Sequence, residues 1–321
     1  MRFSRFLIDD QPVLAVASDD RWYPIADLLD GSVIPTDMIE LLDRFPELDN
    51  EISDGLATDA ARPLPDDAVP MLPFRPASLR DFMLSEAHAV NAGRGMIRRF
   101  KPRLLPIVDA YERITRRTFP MLEPKPLWYR EPIYYFSNHL NTVTDGAVIE
   151  WPPYTTALDY ELELAFVVTR PLINATPDGA LAAVGGFLIL NDFSARDVQL
   201  AEMRSGFGPQ KSKHFVNALS PTVVTADEIL PRIDDVRGEV RINGERVAVT
   251  SAAGMQHSIA DVLVHISSGE QVHPGEVFGL GTMPGGCGME NDHWLAPGDE
   301  IEMRIDRIGS LRNVIGAPPR R

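Results

Sequence analysis

Apolar and polar positions alternate with a period of two through the middle of this chain, and with a helical period only in short stretches. The clearest alternation is Leu158-Asp159-Tyr160-Glu161-Leu162-Glu163-Leu164, which runs on into Ala165-Phe166-Val167-Val168. Successive side chains on a strand point to opposite faces. Asp159, Glu161 and Glu163 are therefore expected on one face, with Tyr160, Leu162 and Leu164 on the other. The apolar continuation has the composition of a core strand. Phe187–Leu190 reads as a second buried strand, ended by Asn191-Asp192. Upstream, Phe3–Ile8 and Val13–Ala17 read as short strands and Asp37–Phe45 as a helix. Ser78-Leu79-Arg80-Asp81 has the form of a capping box and predicts a helix to about Val90. Ser194-Ala195-Arg196-Asp197 repeats that form and predicts a short helix towards Met203, and a third helix is expected over Ser258 to Ser267. Pro102 to Pro132 is punctuated by prolines without a clear period. From Ile133 onward, short apolar runs broken by Gly, Pro and Asp predict a β-rich body. A loop rich in Pro, Asp and Ala, from Thr58 to Pro76, divides a small N-terminal domain (residues 1–75) from a larger one (residues 76–321).

Length and charge narrow the picture. A chain of 321 residues can bury a large core. Its net charge of −15 argues against nucleic acid or an anionic membrane as partner, because both need a basic face. Cys287 is the only cysteine, which excludes an internal disulfide and disfavours a zinc site built on thiols. The first twelve residues lack the apolar core of a signal segment, and no apolar run approaches the ~20 residues of a membrane span. A soluble, cytoplasmic protein is expected.

The acidic alternation then becomes the main chemical signal. Like charges on one strand face repel, and burying them unpaired costs on the order of several kcal/mol each. An isolated Glu-x-Glu is more often a solvated strand face. Here Asp192 closes a neighbouring apolar strand, as a site residue or as a turn residue. A divalent cation held by carboxylates removes the conflict, and Mg²⁺ or Ca²⁺ prefers such oxygen ligands. Asp81 and His88 fall nearly two turns apart on the expected helix, on one face and roughly 10 Å apart along its axis. Their alternatives are a cap and an ordinary helix-face histidine. Lys211 and Lys213 lie in Gly206–Lys213, and at least one is expected to be a solvated surface lysine. Gly281-Thr282-Met283-Pro284-Gly285-Gly286-Cys287-Gly288 reads as a loop whose N–H groups face an anionic substrate group. It lacks the lysine and spacing of a nucleotide loop. Cys287 has no basic partner close in sequence, and the histidines other than His88 show no zinc-ligand spacing.

Over roughly Leu79 to Val314 the sequence resembles the fumarylacetoacetate hydrolase family. The resemblance is carried by Asp159-Tyr160-Glu161-Leu162-Glu163-Leu164, by Asn191-Asp192-Phe193-Ser194-Ala195-Arg196-Asp197-Val198-Gln199, and by Gly208-Pro209 through Lys213 to Phe215. Pro274-Gly275-Glu276-Val277, Gly281-Thr282 and Gly309-Ser310-Leu311-Arg312-Asn313 extend it. It implies an α+β, β-rich fold, a mixed β-roll catalytic domain behind a small N-terminal one, usually in a homodimer. It also implies a small-molecule substrate, drawn from the breakdown of aromatic compounds.

Position by position, the resemblance makes Asp81, Glu161, Glu163 and Asp192 ligands of Mg²⁺, Mn²⁺ or Ca²⁺. It makes His88 the catalytic base, oriented by Glu290, with Lys213 as the family's catalytic lysine. Arg196, Gln199 and Thr282 match substrate-contacting positions. Met83 and Met203 stand where the fumarylacetoacetase branch has tyrosines. The implied reaction is hydrolysis of a carbon–carbon bond in a 1,3-diketo or acylpyruvate-like acid. Decarboxylation, hydration or isomerisation of a 2-oxo acid, and non-catalytic binding on the same fold, are the alternatives.

Overall fold

A computed structural model describes residues 1–58 and 61–318; residues 59 and 60 of the expected inter-domain loop lie outside them. The fold is the β-rich α+β arrangement that was expected. Its main path is a mixed sheet ordered Arg21–Pro24, Gln11–Ser18, Arg2–Ile8, Thr222–Thr225, Val184–Asn191, Glu161–Val168, Glu276–Cys287, Ser78–Phe82 and Tyr134–Ser137. A second, five-stranded sheet runs Glu245–Ser251, Arg237–Ile242, Glu300–Ile305, Gly309–Ile315 and Val148–Ile149. Among the described residues, no helix is long and apolar enough to cross a membrane.

Strand Glu161–Val168 is buried along its whole length because both faces of the sheet are covered. Leu162, Leu164, Phe166 and Val168 belong to one apolar core, shared with Phe187, Ile189 and Phe278. Ala165 and Val167 face the other way, into a second core with Leu79, Leu188, Leu190 and Val277. The helix Met38–Leu56 covers that second face with Met38, Leu41, Leu42, Phe45, Leu48 and Ile52. Its N-cap is Asp37, whose side chain accepts from Ile39 N and Glu40 N at 2.9 Å. The helix continues well beyond the expected Phe45, straight through Pro46, since burial of the apolar stripe offsets the cost of an interior proline. Residues 1–75 therefore share a core and a sheet with the rest, and strand Arg2–Ile8 pairs with Thr222–Thr225.

Neither of the two expected capping boxes forms. Ser78–Phe82 is a strand, parallel to Glu276–Cys287 and antiparallel to Tyr134–Ser137. Tertiary pairing overrides the local pattern there: Leu79 is fully buried, and Arg80 bridges Glu276 at 3.1 Å and Glu270 at 2.7 Å. The helix begins instead at Glu86, capped by Ser85, whose hydroxyl accepts from His88 N. Helix Arg196–Ser205 does form, but Ser194 donates to Asp192 O, so no side chain caps it. Helix Ile259–Ser267 has a complete box between Ser258 and Asp261. The proline-rich stretch contains helices Leu105–Thr115 and Pro126–Arg130.

Leu41 is wholly buried between the N-terminal helix and the sheet. Leu41→Ala is expected to cost about 2–5 kcal/mol and to lower the midpoint of one transition for the whole chain. Denaturant melts followed by circular dichroism and by limited proteolysis check this. A separate early transition confined to residues 1–75 would contradict the shared core.

Candidate active site

The acids collect at the end of the second face, beyond the apolar residues that pack with helix Met38–Leu56. On the second face, Leu79 is followed two residues on by Asp81, and Val167 and Ala165 are continued by Glu163. Pairing aligns Ala165, Gly279, Asp81 and Tyr135 in one row across four strands. Asp192 follows strand Val184–Asn191 and donates its N–H to Glu161 O at 3.2 Å. Asp81, Glu163 and Asp192 bring carboxylate oxygens within 4.8 Å of one another, all buried. Gly279 makes room for them. A Cβ there would lie 2.7 Å from Glu163 Oε2, 2.8 Å from Leu190 Cδ2 and 3.1 Å from Asp81 Oδ1.

Charge balance in this cluster is incomplete. Burial, then Asp192, pushes the Asp81 carboxyl well above its ordinary range. Burial, then Asp81 and Glu161, does the same to Glu163. Asp192 is raised by burial, with Lys213 opposing. Neither Asp81 nor Glu163 has a cationic partner among the described residues. Glu163 accepts from Gly281 N at 3.2 Å, with the Thr282 hydroxyl at 3.5 Å, and Asp192 Oδ1 is buried with no hydrogen-bond partner. Buried, crowded, oxygen-only donors with an unpaired lone pair fit a hard divalent cation.

Glu161 is drawn in another direction. Its Oε1 accepts from Arg196 Nη2 at 2.7 Å and its Oε2 from Lys213 Nζ. Burial raises its pKa, but Arg196 and then Lys213 overcome that and hold it far below the carboxylate range, with His88 contributing. Lys213 Nζ also donates to Asp192, while Lys211 is exposed, over the ring of Tyr154. Arg196 was expected to contact substrate. It is fully buried, with Nε on Asp159 at 2.7 Å and Nη1 on Gln199 Oε1 at 2.9 Å, so it holds other residues in place. Gln199 keeps its NH₂ free of Arg196.

Asp159 does not join the acids. The strand is interrupted at Tyr160, and the Asp159 carboxylate accepts from Gly288 N at 2.9 Å, Met289 N at 3.1 Å and Arg196. The expected anion-binding glycine loop is instead the end of a strand, with Gly281 N–H on Glu163 and Gly288 N–H on Asp159. Its glycines serve a bulge. Ala165 faces Gly279, Glu163 faces Thr282 and Glu161 faces Cys287, so this strand gains one residue and then three more on its partner. Gly285 sits at φ +80°, and a Cβ on Gly286 would come within 2.7 Å of Met283 O. The bulge returns the chain beside Glu161, and helix Gly288–Asn291 then presents Glu290.

There Glu290 Oε2 lies 3.0 Å from His88 Nδ1 and 3.3 Å from Cys287 Sγ. A carboxylate only accepts, so the His88 Nδ1–H donates and Nε2 is left as an acceptor. His88 and Asp81 do not share a helix face: Asp81 is on a strand and His88 in the first turn of the next helix. Sequence reasoning missed Tyr135, whose hydroxyl donates to Asp192 Oδ2 at 2.5 Å and lies 3.1 Å from Asp81 Oδ2. Tyr134-Tyr135-Phe136 carries no spacing that singles it out. Gly279 was also missed, although a lone glycine inside an apolar run is the usual sign of a close approach.

A family model described as Fumarylacetoacetate (FAA) hydrolase C-terminal matches residues 110–316, and the chain belongs to that family. Asp81 and His88 precede the matched stretch. Proteins of this family are enzymes, hydrolases and tautomerases among them. The oxaloacetate tautomerase YisK of Bacillus subtilis is 34% identical over 163 residues, which is 50% of this chain and 53% of that protein. The chain spans 53% to 62% of the length of the curated relatives it matches. A fumarylacetoacetate hydrolase from Exiguobacterium antarcticum superposes with a TM-score of 0.72 at 25% identity, over 99% of both chains. Maleylpyruvate hydrolase from Sphingobium, solved with manganese(II) and pyruvate, shares the fold at a TM-score of 0.68 and 18% identity, covering 99% of this chain and 100% of its own.

Gly279→Ala is expected to weaken Mn²⁺ binding at least tenfold while leaving circular dichroism unchanged, because the added methyl displaces Glu163 and Asp81. Calorimetric titration checks this, and undiminished affinity would remove these two acids from the cation site.

Proposed function

We propose that this protein is a divalent-metal-dependent hydrolase that cleaves a carbon–carbon bond in an acylpyruvate-like 2-oxo acid. The observation that carries the reading is the His88–Glu290 hydrogen bond, placed beside a buried acidic cluster. Asp81, Glu163 and Asp192, with Glu161 behind them, would hold the cation, which when bound would supply Lewis acidity and an anchor for the 2-oxo acid end of the substrate. His88 Nε2, held as an acceptor by Glu290, takes a proton from water. The water oxygen adds to the distal acyl carbonyl carbon. The bond between that carbon and the adjacent methylene then breaks, and its electron pair goes to the methylene. The proton on His88 returns there, so the products are pyruvate and a carboxylic acid. Lys213 has one donor beyond those given to Glu161 and Asp192, and the Gln199 NH₂ is free of Arg196. Both suit an oxyanion at the attacked carbonyl. Met83 and Met203 are exposed apolar side chains, which favours a distal acyl group without a carboxylate.

A second reading is supported by the similarity to oxaloacetate tautomerase. The same histidine can carry a proton between the carbon and the oxygen of an enol without any water attack.

His88→Ala is expected to lower hydrolysis roughly 10²–10⁴-fold, as for loss of a general base, with Mn²⁺ affinity within a few-fold of the parent. Steady-state kinetics on acylpyruvates, fumarylacetoacetate and oxaloacetate, beside a metal titration, test this. Unchanged turnover in the variant, or proton exchange on oxaloacetate with no cleavage of any acylpyruvate, overturns the hydrolase reading. A wide preference for fumarylacetoacetate would overturn the reading of the distal pocket.

A further inference from the structure

Beside the oxygen-only cluster lies a second set of donors of different chemistry. One ligand atom each from His88, Cys287 and Glu290 falls within 4.8 Å of the others. No sequence spacing marks this trio, because the bulge in Glu276–Cys287 and the first turn of helix Glu86–Phe100 bring it together. Glu290 Oε1 is buried and has no hydrogen-bond partner, on a side chain only 3% exposed. Its Oε2 stands 3.0 Å from His88 Nδ1 and 3.3 Å from Cys287 Sγ. Zinc bound to nitrogen and oxygen at about 2.0–2.2 Å and to sulfur at about 2.3 Å needs donors about 3.3–3.7 Å apart; the two separations from Glu290 lie within a few tenths of an ångström of that, and the third is within 4.8 Å.

We propose that His88, Cys287 and Glu290 form a binding site for a thiophilic divalent cation such as Zn²⁺, and that its occupation shuts off the enzyme. Three protein ligands of imidazole, thiolate and carboxylate type, with a fourth position for water, suit Zn²⁺ or Co²⁺; Mg²⁺ and Ca²⁺ avoid sulfur. Binding releases the Cys287 thiol proton to solvent. It also ends the Nδ1–H to Glu290 hydrogen bond. With the metal on Nδ1, the neutral imidazole carries its proton on Nε2 and cannot accept one from water. Inhibition rests on the proposed role of His88, whereas the site itself rests on geometry alone. Zinc inhibition would then be noncompetitive with the ion at Asp81, Glu163 and Asp192.

The protein saturated with Mg²⁺ is titrated with Co²⁺ and followed by absorption. The expected result is a thiolate-to-cobalt charge-transfer band that saturates at one equivalent per chain, is reversed by Zn²⁺ and is missing in Cys287→Ser. X-ray absorption on the unmutated protein, with one sulfur in the cobalt shell, decides the matter if that variant fails to fold. No charge-transfer band and no sulfur ligand, or a band that persists in Cys287→Ser, overturns the site. Under the same conditions Zn²⁺ is expected to lower turnover at least tenfold. A band with full activity overturns the inhibition, and with it the reading of His88 as base, while the site stands.

Discussion

Too many carboxylates for the available cations is the constraint on which this structure turns. Asp81, Asp159, Glu161, Glu163 and Asp192 are all buried, and Arg196 and Lys213 are the buried cations in contact with them. Arg196 serves Asp159 and Glu161, and Lys213 serves Glu161 and Asp192, which leaves Asp81 and Glu163 without a cationic partner among the described residues. The arrangement is costly to perturb. Removing one member of a buried ion pair strands its partner, at about 3–5 kcal/mol. Glycine at 279 is the steric side of the same requirement.

Arg196 also joins the two halves of the site. It holds Glu161 with one nitrogen and Asp159 with another, and Asp159 in turn fixes Gly288 N and Met289 N. Those two residues open the short helix that presents Glu290 to His88. Acids and imidazole thus meet through a few buried hydrogen bonds between segments 35 to 202 residues apart in sequence.

Much of this was legible in the sequence, because strand alternation is a local property. Glu161 and Glu163 declared themselves against Leu162 and Leu164, and Asp192 closed a visible apolar strand. What stayed hidden depends on pairing between distant segments. Ser78–Phe82 resembles a helix start until its neighbours Glu276–Cys287 and Tyr134–Ser137 are in place. Asp159 looks like a third acid on the same face until the strand is interrupted at Tyr160. Arg196 looks like a surface residue of a short helix, yet it is among the largest fully buried side chains. The extent of helix Met38–Leu56 was hidden for a different reason, since a proline usually ends a helix that tertiary burial does not sustain.

The bulge before Cys287 has a consequence for how such an enzyme changes over generations. A regular strand would advance about 3.3 Å per residue, so three residues held in plane would carry Cys287, and Glu290 behind it, about 10 Å away from Glu161. Folding them out of plane converts a length of chain into a position of Glu290, the carboxylate hydrogen-bonded to His88. Gains or losses at Met283–Gly286 therefore retune the gap between Glu161 and Glu290 while every chemical group keeps its identity. Selection for a longer or shorter substrate can act on the number of residues there, a kind of variation that comparison of catalytic residues alone does not register.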